Sequence, residues 1–389
     1  MTGGGAGPHA RLHHLDALRA GAMLLGVVLH AAISFTDMDW PVKDVHAGAG
    51  ATGLGIAAIH GFRMQLFFLL SGYFSMGLLR HRGTRAYLAN RGRRIALPFA
   101  ASCATVVPAT WAVMWIVSDG RAPRAVAELV SGLPWLPWLL VFPILGHLWF
   151  LWFLCWMTPA LPLLARAVRA APRLRPPRIL VATPLCMLWL VPLTAVLTAP
   201  MSSWGTKPGF TADTFAGILP MPHLLAYYGA FFGFGAIVAA VPGAMHGIAR
   251  GWWALLAAAA IVALPAIVLG GLAPEATRMF PDPGVRRIAT LLLSAAYPWL
   301  MCLGLIGAAG RFLHAERPAV RWLADSSYWV YLVHLPVVLL LQRAVAQANI
   351  GAATKFTFIM GASMAALLLA YGQVVRRTWV GRMLNGPRP

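Results

Sequence analysis

Charge is what this chain of 389 residues has least of. Only 11% of its residues are Asp, Glu, Lys or Arg, less than half the share of about 25% usual in soluble domains. Hydrophobic residues make up 59%, which excludes an ordinary water-facing globular surface. Acids are scarcer still: 11, against 31 Lys and Arg, for a net charge of +20. Cysteine is limited to Cys103, Cys155, Cys186 and Cys302, all inside apolar runs and without paired spacing. Neither a disulfide framework nor a thiolate metal site is indicated. Clusters of His with carboxylates at ligand spacing are missing too, so no metal is expected. Internal repeats are absent, and the first apolar run is long enough to read as a span rather than a cleavable leader.

What is there is a succession of apolar runs broken at Pro, Gly and Arg clusters. They predict ten spans near 15–35, 60–79, 95–117, 146–165, 179–199, 223–241, 252–272, 288–309, 322–345 and 355–375. The expected fold class is all-α, a polytopic membrane helix bundle with both termini cytoplasmic and a single domain over 1–389. Residues 125–145 are apolar as well, but Pro134, Pro137 and Pro143 make a poor continuous helix, and the piece reads as interfacial or re-entrant. With the N-terminus inside, 21 of the 31 Lys and Arg fall on the inner side, whereas only Asp16, Glu316 and Asp325 do among the acids. That is the asymmetry the positive-inside rule requires. The excess positive charge is therefore a topology signal: the expected partner is a lipid bilayer and not nucleic acid.

Arg19 and His30 stand eleven residues apart in the first span, which returns them to within roughly 20° of azimuth and separates them by about 16 Å along the axis. Asp16 shares that face. Ionisable groups inside a bilayer are costly and count as functional candidates. Each has an ordinary alternative: a histidine held by a backbone carbonyl, an arginine locked to Asp16.

Four stretches carry a family resemblance: HLDALRAGAMLLGVVLH (14–30), HGFRMQLFFLLSGYFS (60–75), HLWFL (147–151) and SSYWVYLVHLP (326–336). With Arg91-Gly92-Arg93-Arg94 standing for an inner-loop Arg-x-x-Arg, the chain resembles the acyltransferase-3 family of integral membrane acyltransferases, nearest its glucan-succinylating branch. Residues 176–320 agree only in hydropathy and topology. The resemblance implies transfer of an acyl group, succinyl or acetyl, from a cytoplasmic acyl-CoA thioester to a hydroxyl of a periplasmic glucan or other outer glycan acceptor, in a bacterial inner membrane. It implies no permanently bound cofactor.

On that footing His30 is the expected base and Arg19 orients the donor. Arg91 and Arg94 suit the phosphates of coenzyme A, although topology alone explains their charge. His60 and Arg63, placed at the outer start of the second span, suit an anionic acyl head such as the succinyl carboxylate; an interfacial anchor is the other reading of Arg63. His147 and His334 are expected to line the substrate cavity. Ser71-Gly72 lacks the strand–turn–helix context of a nucleophile elbow and reads as a close helix contact. A secondary transporter is the rival class, but the repeated halves with broken helices that mark one are not found. An O-acetyltransferase of another polysaccharide or metabolite would share the same core.

Overall fold

The computed structural model describes residues 13–48, 50–120, 144–171, 173, 176–201, 210, 212–214, 217–267, 282–313, 315 and 317–385. The interfacial piece expected at 125–145 therefore lies almost wholly outside the described residues. Apolar runs in a bilayer must satisfy every backbone N–H and C=O internally, and helices result. Seven helical stretches among the described residues are long and apolar enough to cross a membrane, and three apolar helices are shorter. Each expected span falls on one of these ten.

Helix α1 (His13–Ile33) is 21 residues long, about 32 Å at 1.5 Å per residue, which matches a hydrocarbon core of about 30 Å. Helix α2 (Ala51–Arg91) has 41 residues, more than the roughly 20 needed to cross a membrane. Gly83 holds a left-handed φ of 73° inside it and breaks its course, a conformation in which a Cβ would be strained. A wider π-type turn (Gly92–Ala96) then leads to α3 (Leu97–Ala104) and α4 (Val106–Val117). The break between these two, inside the expected third span, follows from Pro108, which has no N–H to offer the carbonyl of Ala104.

Helix α5 (Trp149–Ala170) is followed by the single turn α6 (Ile179–Ala182) and by α7 (Met187–Thr198). Pro184 separates the last two for the same reason. Then come α8 (Pro222–Ala240), the short α9 (Ala244–Ile248), α10 (Trp252–Ile267) and α11 (Pro283–Phe312). Helices α12 (Pro318–Val345), α13 (Ala352–Gln373) and α14 (Trp379–Asn385) complete the chain.

Small residues let the central helices touch. A Cβ on Gly72 of α2 would strike the Phe232 carbonyl of α8, and one on Gly235 of α8 the Leu69 carbonyl of α2, so the Ser71-Gly72 pair serves close approach as expected. Val27 and Ala31 of α1, with Phe35 just beyond its end, pack against Val330 and Val338 of α12, and Ile359 and Leu367 of α13 close the cluster. Arginines stitch helix ends together. Arg80 donates to the carbonyls of Ala239 and Ala240 at the end of α8 (3.3 and 2.9 Å), Arg178 to Pro242 (2.9 Å), and Arg94 to Asn385 at the end of α14 (2.8 Å). Helix C-termini leave carbonyls without internal partners, and cations there are favourable.

One boundary corrects the sequence reading. Helix α2 begins at Ala51, nine residues before the expected 60. Gly48, Gly50, Gly53 and Gly55 make the segment look like a loop, and Gly53 and Gly55, which fall inside the helix, each cost about 1 kcal/mol relative to Ala. Buried Ile56 and Ala57, with Met38, Trp40 and Ile59 close by, outweigh that cost. His60 and Arg63 therefore lie nine and twelve residues into the helix, about 14 and 18 Å from its start. Both are half-buried within the bundle.

Candidate active site

The sequence places one titratable group late in the first span, and the fold surrounds it. His30 is in the last turn of α1. Its ring lies 5.2 Å from that of His334 on α12, and the His334 ring lies 5.1 Å from that of His147, in the turn before α5. Three of the four expected chamber imidazoles thus form a contiguous row. His334 donates from Nδ1 to the carbonyls of Tyr331 (2.8 Å) and Val330 (3.1 Å), so its Nε2 carries the lone pair. His147 Nε2 donates to Leu332 O at 3.0 Å, while the Tyr331 hydroxyl donates to His147 O at 2.8 Å.

Arg63 and His60 close the group from α2. The Arg63 guanidinium occupies the space left by Gly26 of α1, where any Cβ would overlap its Nη1. It interacts electrostatically with His30, His60, His147 and His334 and with the hydroxyls of Tyr331 and Tyr228. Among the described residues no carboxylate pairs with it. His60 is hydrogen-bonded to the backbone of Ala212. Four buried polar atoms here have no partner among the described residues: His30 Nδ1, His60 Nε2, Arg63 Nε and His334 Nε2. Buried polar atoms are nearly always satisfied in folded proteins, so four orphans in one cluster mark a place built for something else to occupy.

A loop over residues 34–48 covers this chamber. Trp40 stacks on the His30 ring at 5.6 Å and 22°, and its indole N–H donates to Gln342 Oε1 at 2.9 Å. Gln342 in turn donates to the carbonyls of His30 (2.9 Å) and Ala31 (3.3 Å) at the end of α1. The loop is pinned by a buried ion pair, Asp44 to Lys355 of α13 at 2.9 Å. Burial pushes the Asp44 carboxyl up, but the His46 backbone N–H and the Lys355 ammonium outweigh it and leave the group below the ordinary aspartate range.

On the other side of the bundle a cavity of about 1390 Å³ is walled by Arg19, Arg91, Arg94, Arg317 and Arg321, among others. Arg19 pairs with Asp16 at 3.2 Å and lies over the Phe74 ring at 5.7 Å. Arg91 lies over the Tyr87 ring at 5.8 Å and keeps a buried Nε without a partner. Arg94 is committed in part: besides its bond to Asn385, its carbonyl accepts from the Tyr328 hydroxyl at 2.9 Å. Expected residues Arg19, Arg91 and Arg94 are thus brought together at one end, and His30, His60, Arg63, His147 and His334 at the other.

Residues 12–372 match the family Acyl_transf_3, described as an acyltransferase domain. The chain belongs to the acyltransferase-3 family. Over 91 residues, this acyltransferase is 35% identical to glucans biosynthesis protein C of Escherichia coli strain K12, covering 23% of this chain and 23% of that protein. The same figures hold for the proteins of strains SMS-3-5 and O1:K1 / APEC. The chain thus aligns with less than a quarter of the length of the curated relatives it matches. No solved structure matches it. An acyltransferase with several membrane-crossing helices is what sequence, fold and family agree on.

Sequence reasoning missed four members of the chamber wall. Gly26, Trp40, Tyr331 and Gln342 carry no charge, and their roles depend on contacts with residues up to 312 positions away. Gly26 had the one readable signal, since a glycine inside an apolar span on the Arg19–His30 helix invites a close neighbour.

Proposed function

We propose that this acyltransferase moves a succinyl group from a cytoplasmic coenzyme A thioester to a hydroxyl of an extracytoplasmic glycan, a glucan first among them, in a bacterial inner membrane. The single observation that carries the reading is the row of imidazoles, His334 buried and His30 and His147 half-buried, around an Arg63 that no carboxylate pairs with among the described residues, set across the bundle from an arginine-lined cavity. The cavity suits the phosphates of the donor, with Arg91 as the least committed cation and Arg19 steadied by Asp16. In the chamber, His30 takes the proton of the acceptor hydroxyl as its oxygen attacks the thioester carbonyl. The C–S bond then breaks, and the thiolate of coenzyme A leaves with the proton that His30 returns. Arg63 gives the free carboxylate of a succinyl group a partner that an acetyl group would not use. His334 flanks the base with His147 behind it, and His60 contributes a further polar contact to the acyl group.

Support for a glucan acceptor is the likeness to glucans biosynthesis protein C. The test is transfer from labelled succinyl- and acetyl-CoA to glucan by purified protein in nanodiscs. His30→Ala should lower transfer of both by about 10²–10⁴-fold, the usual contribution of a positioned base. Arg63→Ala should lower succinyl transfer more than acetyl transfer. Normal turnover by folded His30→Ala removes the base assignment, and a wild-type preference for acetyl removes succinyl.

A further inference from the structure

The donor cavity and the imidazole chamber do not meet. None of His30, Arg63, His147 and His334 is part of the cavity wall, whereas Met23, Phe67 and Phe150, which precede or follow them on the same helices or on the turn before α5, line it. These three are buried, Phe67 and Phe150 at 4% exposure. The Phe67 and Phe150 rings stand 5.4 Å apart at 47°, and Phe150 meets Tyr331 edge-on at 6.2 Å. Aromatic rings at that spacing are in contact and leave no passage between them.

Helical spacing makes this barrier systematic. On α2, Phe67 is one turn from Arg63. On α5 and the turn before it, Phe150 is three residues from His147. On α12, Tyr331 is three residues before His334, and Tyr328, three earlier again, lines the cavity. On α1, Met23 lies four residues after Arg19 and seven before His30. Each helix passes from a cavity residue through an apolar or aromatic residue to a chamber residue. The distance from Met23 to His30 along the axis is about 10 Å.

We infer that Phe67 and Phe150 form an aromatic gate between donor cavity and chamber, and that this gate sets the size of acyl group the enzyme transfers. The inference rests on the donor and base assignments of the proposed function. A thioester anchored by its phosphates in the cavity reaches His30 only by parting the two rings, and the rings then wall the narrow passage around the acyl group. Short acyl groups fit that space. Truncating either ring opens room that longer groups can fill, and an added methylene in an apolar site typically changes discrimination by about 10-fold or more.

Two readouts separate the gate from the function beneath it. The first needs no turnover. In a chain with Cys103, Cys155, Cys186 and Cys302 replaced by Ser, His334→Cys should resist a small charged thiol reagent added to inverted membrane vesicles. Adding Phe150→Ala should make it react readily. Rapid labelling with both rings intact overturns the gate, as does continued resistance after Phe150→Ala. The second is the ratio of hexanoyl to succinyl transfer, expected to rise by about tenfold or more in Phe150→Ala and Phe67→Ala. Phe150→Leu, which keeps more of the packing, should rise in the same direction if alanine unfolds the protein. An unchanged ratio in folded variants overturns the gate as a size filter. If the wild type transfers no acyl group while labelling still depends on Phe150, the donor reading fails and the barrier stands.

Discussion

Replacing Gly26 with alanine adds one methyl group to α1, four residues before His30, and its effects on stability and on turnover should have opposite signs. In an ordinary helix interior Gly→Ala is favourable by about 1 kcal/mol. The new Cβ, however, would overlap Arg63 Nη1 and come to 3.5 Å from its Cζ. The obstruction is the far end of a flexible side chain and not backbone, so the guanidinium yields by on the order of 1 Å and the helix stays intact. A misplacement of about that size near a reacting centre lowers the rate by roughly 10²-fold. Gly26→Ala should therefore unfold at the same temperature as the wild type or higher, yet transfer acyl groups about 10²-fold more slowly. Gly21 supplies the control on the same helix, because a Cβ there meets no heavy atom within 4 Å. Gly21→Ala should share the helix gain and keep full activity. The assay is thermal unfolding alongside labelled-succinyl transfer for both variants in nanodiscs. Equal activity of the two would show that the placement of Arg63 does not matter to turnover. Collapse of Gly26→Ala would show that Arg63 cannot yield.

Two other perturbations probe the ends of the path. Arg91→Ala should raise the KM for the coenzyme A thioester more than it lowers kcat, and added salt should raise the wild-type KM, since exposed phosphate contacts are screened; a change confined to kcat would speak against a donor site. Lys355→Met leaves Asp44 buried without its cation, which typically destabilises by about 3–5 kcal/mol, and should show as a lowered unfolding temperature; an unchanged one removes the loop anchor. Because Asp44 titrates below the ordinary aspartate value, its contribution is fully present above about pH 4 and is lost as pH falls through its own lower value. Limited proteolysis of the 34–48 loop should therefore increase only under acidic conditions below about pH 4, and release near neutrality would contradict the pairing.

The helices were legible because membrane hydropathy is a one-dimensional signal: twenty or so apolar residues must be helical wherever their neighbours lie. The start of α2 was not, since its glycines read locally as a loop and only packing around Ile56 reveals the helix. His30 was legible for a related reason, being a titratable group at helical spacing from Arg19. What made it a chamber was not: the partners of His30 come from α2, α12 and the turn before α5, and no spacing rule links residues 30, 63, 147 and 334. The separation of chamber from cavity was invisible as well, because Phe67 and Phe150 look like any other apolar residues of a span.

The inner arginines lead to a last consequence. An arginine that keeps a loop on one side of the membrane has finished that task once the chain is inserted. Here Arg80, Arg94 and Arg178 go on to bind the terminal carbonyls of helices far away in sequence. The side chains that carry the charge bias expected of inner loops are thus also the ones that join helix ends. A helix pair threaded the wrong way round would carry these cations to the opposite face, leaving the carbonyls of Ala240 and Asn385 without them. An error of insertion then becomes an error of folding, and poorly stitched membrane proteins are the ones that cellular proteases remove.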